Sequence, residues 1–462
     1  MLFNDIHFTL FFLPVLLMFY ICNRNKRVWL KNVFLLAASY VFYALLEPRF
    51  VFLLLYITLI NYGCIRLLDR GKNRKAIITI GIVLSLLPLA FFKYTNFLLN
   101  DVLDIEGHIL GEIALPIGIS FFTFQALSYT IDIYRRKETL MPSALDFTLY
   151  VCFFPTILSG PIERARTLMP QIKTLQRWNA VGVLNGFQLL VWGLFQKIVV
   201  ADRIATYVGT VYAHPEMYGT TTILFAMGLY SIQIYCDFAG YSNMAIGVGR
   251  MLGFDIRKNF DFPYFSTSIR NFWKRWHISL TSWLTEYVYF SLGGNRVKEW
   301  RWMMNVLIVF LVSGLWHGAA WTFIIWGFIH GVYQIAEYYT LKRREFKNTT
   351  TNAMLGLLLF VVTSVAWVFF RADNLAHATA ILQALTNGGV PFFTYFSTQF
   401  VLMLFALACF VIAEITMYKR VLKITERTDN SFSWINLSFM VLTLLMVSLL
   451  GESGAKFVYF QF

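Results

Sequence analysis

Residues 313–327 read SGLWHGAAWTFIIWG. An apolar run that begins near residue 302 ends here on a histidine, His317, between Gly314 and Gly318. An ionisable side chain at membrane depth is expensive to bury, so its presence is by default a functional hypothesis. Flanking glycines allow a second helix to approach closely, or leave room for a substrate. Upstream, RNFWKRWH (270–277) puts a second histidine, His277, in another tryptophan-rich segment. The reading of the whole chain turns on whether these segments belong to a membrane.

Composition says that they do. The 462 residues are 58% hydrophobic, 18% aromatic and 14% charged, whereas a soluble domain carries roughly 25% charged residues. Mean hydropathy is +0.60. The net charge is +14, but its cations cluster in short loops between apolar runs. That is the pattern of topology signals and argues against nucleic-acid binding. Cys22, Cys64, Cys152, Cys236 and Cys409 lie in or beside apolar runs without CxxC spacing. They read as small buried hydrophobes, with neither a disulfide framework nor a metal site. The first apolar run follows Asn4 and Asp5 instead of a basic segment, so it is expected to remain as the first span.

A helical span needs about 20 mostly apolar residues. Candidates are 8–22, 30–46, 49–67, 76–98, 114–134, 145–160, 181–200, 219–236, 302–318, 320–340, 354–370, 396–417 and 434–450. Loops Arg24–Lys31, Arg66–Lys75, Arg135–Lys137, Lys342–Lys347 and Lys419–Arg427 are basic, whereas Glu47–Phe50, Asn100–Glu112 and 372–395 are not. The positive-inside rule then puts both termini on the outer face, which requires an even number of crossings. Thirteen candidates cannot satisfy it. The first suspect is 145–160, which is short, contains Pro155 and ends in Ser159–Pro161. Non-helical backbone at membrane depth is tolerated only where protein or a water-filled cavity surrounds it. The expected class is an all-α polytopic membrane protein with about 11–14 membrane helices, some short or re-entrant. It reads as one domain, 1–462, with N-terminal spans in 1–140, a core in 141–340 and C-terminal spans in 341–462.

Within the core, 256–301 is rich in Arg, Lys and Trp. Phe272, Trp276, Leu280, Trp283, Leu284 and Tyr287 recur three and four apart. That spacing predicts an amphipathic helix, with Arg270, Lys274 and Arg275 on its other faces, at the cytoplasmic interface. A plain interfacial belt of aromatics is the competing explanation.

The histidines have two explanations each. A neutral imidazole at His317 can take a proton from a hydroxyl, as a general base must, or it can simply hydrogen-bond between packed helices. His277 sits beside cations and hydroxyls in KRWHISLTSW, and an interfacial or packing role competes there equally. His330 follows His317 by 13 residues, about 220° around one helix, so the two do not share a face. It reads as structural, and no HExxH is present.

The stretch QIYCDFAGYSNMAIGVGRMLGF (233–254) holds Gln233 and Asp237. A carboxylate in this setting should pair with a cation or orient a histidine, and Arg250, Arg270 and Arg275 are candidates. Gly247, Gly249 and Gly253 follow no strand, so they read as small-residue helix packing and not as a dinucleotide loop. In SGPIERARTLMPQI (159–172), a turn with Glu163, Arg164 and Arg166 either contacts phosphates or marks the cytoplasmic side. Neither a G-x-S-x-G elbow nor a P-loop occurs.

Six stretches then carry a resemblance. They are LPIGISFFTFQALSYTIDIYR (115–135), SGPIERA (159–165), YCDFAGYSNMAIGVGRMLGF (235–254), NFDFPYFSTSIRNFWKRWHISLTSWL (259–284), LGGNR (292–296) and SGLWHGAAWTFIIWG (313–327). In this order they resemble the membrane-bound O-acyltransferases, within them the alginate O-acetylation branch, related to the teichoic acid D-alanyltransferases. The likeness extends to the terminal FVYFQF. It implies a multi-helix scaffold around a central tunnel in a bacterial inner membrane. An acyl thioester, acetyl-CoA, would enter from the cytoplasm and an acceptor hydroxyl from the other face. His317 is then the expected catalytic residue and His277 its polar companion. Arg270, Lys274, Arg275 and Trp276 would hold the donor, and Asp237, Gln233 and Asn305 are further polar tunnel candidates. No permanently bound cofactor or metal is expected. The implied partners are membrane lipid, the thioester donor, and an acetyl-accepting protein or glycan outside the cell. Peptidoglycan O-acetylation and D-alanyl transfer to teichoic acid are alternatives within the same chemistry. A transporter of acyl donor or glycan is an alternative of another class, and a lipid or sterol acyltransferase a lower one.

Overall fold

The structure, a computed structural model, describes residues 2–104, 113–136, 141–341, 348–388, 397–424, 433–452 and 457. The basic loop 342–347, most of the 100–112 loop and the chain end beyond Phe457 lie outside the described residues. The regular elements among the described residues are helices. In chain order they are α1 (Ile6–Arg24), α2 (Val28–Leu46), α3 (Val51–Asp69), α4 (Arg74–Asn96), α5 (Ile119–Tyr134) and α6 (Ala144–Cys152). There follow α7 (Ala165–Ile172), α8 (Ala180–Leu194), α9 (Asp202–Ala213), α10 (Thr220–Met251), α11 (Ile269–Arg275) and α12 (Ile278–Leu284). The last are α13 (Glu299–His317), α14 (Trp321–Leu341), α15 (Thr349–Arg371), α16 (Leu375–Gln383), α17 (Thr398–Tyr418) and α18 (Trp434–Leu450). Asp5, Ser143, Ser268, Asn374, Ser397 and Ser433 each accept a first-turn N–H with their side chain. These caps satisfy donors that a helix start leaves open.

Among the described residues, eight helices are long and apolar enough to cross a membrane: Ile6–Arg24, Val28–Leu46, Pro48–Asp69, Arg74–Val102, Ala180–Ala213, Thr220–Met251, Thr349–Arg371 and Thr398–Tyr418. The run 145–160 is not one helix. Its helical part, α6, has 9 residues, and the chain then turns through 153–160. The turn is protein-enclosed: the Phe154 N–H donates to Ser39 Oγ at 3.2 Å, and Phe153, Phe154 and Ile157 are buried. Its carbonyls also explain Gly118, which starts α5 at φ 81°. A Cβ there would sit 2.6 Å from the Ile157 oxygen.

The chain folds as two compact units. The first is built mainly from Met1–Leu190 and Tyr241–Lys258, the second from Val191–Gly240, Asn259–Arg427 and Ser433–Phe462. In the first, α3 packs on α4 and α5. Thr130 donates to Asn61 at 2.7 Å and Asn61 to Ser85 at 2.9 Å, so polar groups of all three helices satisfy one another. The starting turns of α8 and the end of α10 meet at Gly186 and Gly247. A Cβ on Gly247 would lie 2.5 Å from the Gly186 oxygen, so small-residue packing does explain this glycine.

In the second unit, α13 and α14 pack along each other. Cβ atoms on Gly314 and Gly327 would run into the backbone oxygens of Phe323 and Phe310. The backbones therefore touch, and the hairpin turns at Gly318 directly after His317. The segment 256–301 departs from the single amphipathic helix that its spacing predicts. It forms two short helices, α11 and α12, broken at Trp276 and His277. The apolar positions are nevertheless buried, from Phe272 at 0% exposure to Tyr287 at 7%. Spacing therefore marked the inward face correctly, while the backbone break goes with the left-handed conformation of His277.

Gly327→Ala should lower stability by about 1–3 kcal/mol through overpacking, read as a fall in unfolding temperature in detergent. Gly209→Ala, where nothing lies within 4 Å of the new methyl, should not.

Candidate functional site

His317 is the last residue of α13 and is 4% exposed. Aromatic rings enclose it: Trp316 at 5.0 Å, Trp326 at 5.1 Å and Phe370 at 5.2 Å between centroids. All three contacts are edge-on, the arrangement that ring quadrupoles favour. Trp326 also packs on Trp367 at 5.6 Å and on His330 at 5.0 Å. His317 and His330 thus come together although about 220° of rotation along one helix would separate them. They do not share one helix, because the chain reverses at Gly318 between them. Both histidines pack against the same tryptophan. His330 is fully buried, and neither ring nitrogen has a hydrogen-bond partner among the described residues.

His277 lies 6.1 Å from His317, ring to ring. It packs edge-on against Phe238 at 4.6 Å and Trp316 at 5.7 Å. Its backbone is left-handed, φ 44° and ψ 53°. A positive φ is uncommon outside glycine, although histidine adopts it more readily than most residues, and it costs some strain. The Asn259 side chain meets Nδ1 of His277 at 3.1 Å. His277 is 1% exposed, and burial pushes its imidazolium pKa down to about 3. At neutral pH the ring is uncharged, so it holds a lone pair and one N–H.

The other sequence candidates divide. Arg270 and Lys274 are exposed, with charge to offer an anion. Arg275 is half-buried and occupied by protein, donating to Asn271 Oδ1 and to the Asp261 carbonyl at 3.3 Å each. Trp276 is in the core, stacked on Phe272 at 5.4 Å. The Asn305 amide donates to the Leu292 and Gly294 carbonyls at 3.2 and 3.0 Å, so it ties down the LGGNR loop. Gln233 is buried on α10, one turn before Asp237. Asp237 meets Lys197 at 2.6 Å, a cation outside the three that sequence suggested. Lys197 also meets Asp202 at 2.7 Å, and all three are at most 4% exposed. Of the three charges singled out in SGPIERARTLMPQI (159–172), Glu163 and Arg164 are buried in the first unit and Arg166 is exposed.

Sequence reading missed four groups. Lys197 lies on a π-helical stretch, Phe195–Ala201, which nothing in its apolar surroundings announces. Asn259 takes its meaning from the fold alone. Glu337 accepts from the N–H groups of Ile269 and Arg270 and so caps α11 from α14. Glu414, buried on α17, accepts from the Tyr235 hydroxyl at 3.1 Å. A lone carboxylate inside the apolar run 396–417 was a signal that could have found it. All five cysteines are free. Among the described residues no three His, Cys, Asp or Glu side chains gather as metal ligands would.

Comparison with known proteins adds a family. The model of the membrane-bound O-acyltransferase family matches residues 5–372. The chain is 37% identical over 403 residues to the probable alginate O-acetylase AlgI of Azotobacter vinelandii, covering 84% of this chain and 79% of that one. It is 34% identical over 421 residues to the peptidoglycan O-acetyltransferase of Helicobacter pylori, covering 84% and 80%. Identity to the teichoic acid D-alanyltransferase of Bacillus subtilis is 28% over 312 residues, covering 64% and 76%.

Removing Lys197 while leaving two buried carboxylates isolates their charge. Lys197→Met should destabilise the protein by about 3–5 kcal/mol, measured by thermal unfolding, and the double change with Asp237→Asn should recover part of the loss.

Proposed function

The chain belongs to the membrane-bound O-acyltransferase family and is a multi-pass membrane acyltransferase; on that premise we propose that it moves an acetyl group from acetyl-CoA to an acceptor hydroxyl, for O-acetylation of an exported polysaccharide of the alginate kind. The observation that carries this reading is the pairing of His277 and His317. They are 40 residues apart in sequence, yet 6.1 Å apart in one aromatic enclosure. A general base needs to be uncharged and within reach of the hydroxyl. An enclosure of Trp and Phe side chains also limits the water that would hydrolyse a thioester.

The chemistry follows. His317 takes the hydroxyl proton as the oxygen attacks the thioester carbonyl carbon. The C–O bond forms, the C–S bond breaks, and the departing thiolate recovers the proton from the imidazolium. His277 either orients the donor or stabilises charge that develops on the carbonyl oxygen. Arg270 and Lys274, both exposed, hold the phosphates of CoA on the cytoplasmic side. The basic loops support a bacterial inner membrane with both termini outside. An acceptor protein or glycan then meets the outer face. The relative named for peptidoglycan stands close in identity to those named for alginate, so peptidoglycan is the second reading for the acceptor.

Two measurements test this. His317→Ala should lower acetyl transfer from acetyl-CoA by about 100-fold or more, and transfer at the wild-type rate by the folded variant would end the proposal. Arg270→Ala with Lys274→Ala should raise KM for acetyl-CoA with little change in kcat. Mass spectrometry of envelope glycans with and without the gene identifies the acceptor.

A further inference from the structure

We propose that Asn259 fixes His277 in the tautomer with its proton on Nδ1, so that Nε2 presents a lone pair and His277 acts as a hydrogen-bond acceptor. The inference rests on the acyl-transfer reading for its meaning, though not for its geometry.

One donor at Asn259 has a fixed direction. The backbone N–H of Ser279 can only donate. It points at the Asn259 side chain, 3.2 Å from the atom assigned as Oδ1. That atom must therefore be the carbonyl oxygen and not the NH2 group, which settles the amide orientation. The Ser279 hydroxyl reaches the same oxygen at 2.9 Å. His277 Nδ1 reaches it at 3.1 Å. A carbonyl oxygen only accepts, so Nδ1 carries the hydrogen. A neutral imidazole has one N–H, which leaves Nε2 without one.

The surrounding backbone holds this arrangement in place. The Ile278 N–H donates to the Asn259 carbonyl at 2.8 Å, and the Asp261 N–H donates to the Arg275 carbonyl at 3.0 Å. These two bonds tie 259–261 to 275–278 and hold the left-handed His277 backbone against its strain. Asn259 and Ser279 are themselves buried. Burial separately keeps the imidazole uncharged.

The consequence decides between the two roles left open for His277. A neutral ring with its only hydrogen committed to Asn259 cannot donate to a developing oxyanion. It accepts a hydrogen bond at the site that it shares with His317, and charge on the carbonyl oxygen must be met by another group. Asn259 is a positioning residue in this scheme.

The tautomer is read directly by 15N solid-state NMR of the full chain, histidine-labelled, in lipid bilayers. The protein has 7 histidines, and His277→Gln removes the signal to be assigned. The expected result is a protonated Nδ1 and an unprotonated Nε2. A protonated Nε2 overturns the proposal. Because no turnover is needed, this result is independent of the acyl-transfer reading, whose own failure would appear as an active His317→Ala. Kinetics supply a second arm. Asn259→Leu should lower kcat by about 10- to 100-fold, with KM for acetyl-CoA retained. Asn259→Asp keeps the accepting oxygen and adds a negative charge, which favours the imidazolium and raises the pKa of His277. It should retain activity while the acidic limb of its pH–rate profile moves to higher pH. A folded Asn259→Leu enzyme at the wild-type rate, or an unmoved limb in Asn259→Asp, would contradict the proposed role.

Discussion

Contact between the backbones of α13 and α14 is the constraint on which the second unit depends. Gly314 and Gly327 leave no room for a side chain, and Gly318 turns the chain immediately after His317. Backbones this close make dense van der Waals contact, so the glycines carry weight that no side chain could supply. Here they also serve chemistry. The hairpin sets His317 at the end of one helix against Trp326 of the next, and α15 closes the enclosure with Trp367 and Phe370.

Several polar groups inside this apolar frame are arranged in paired sets. Lys197 answers Asp202 and Asp237, Tyr235 answers Glu414, and Asn259 gathers His277 and Ser279. An isolated charge at such depth would shift its pKa or unfold its surroundings, so the pairing is what makes the burial tolerable. The left-handed backbone at His277 belongs to the same economy. It breaks a helix that the sequence would otherwise continue, and the bonds between 259–261 and 275–278 keep it there.

Much of this was legible in the residues. Hydropathy marked the helical membrane class, and the motif stretches marked the family that the comparisons then showed. The doubt about 145–160 came from Pro155 and the Ser-Gly-Pro that ends it, and the structure turns there. Periodicity marked the buried face within 256–301 but not its break, because apolar spacing reports which side faces inward and says nothing of one residue's φ. Asp237 was recognisable as a carboxylate in need of a cation. Lys197 was not recognisable as that cation, because a 40-residue separation in sequence holds no distance information. The nearness of His330 to His317 was hidden for a related reason: a turn at Gly318 separates the two helices that carry them.

The claim that His277 and His317 act as one unit on one reacting centre is tested most directly by a double-mutant cycle on acetyl transfer. Residues that share a step give non-additive losses. The expected result is that His277→Ala with His317→Ala is no slower than the slower single variant. Losses that multiply, with both single variants folded, would contradict it.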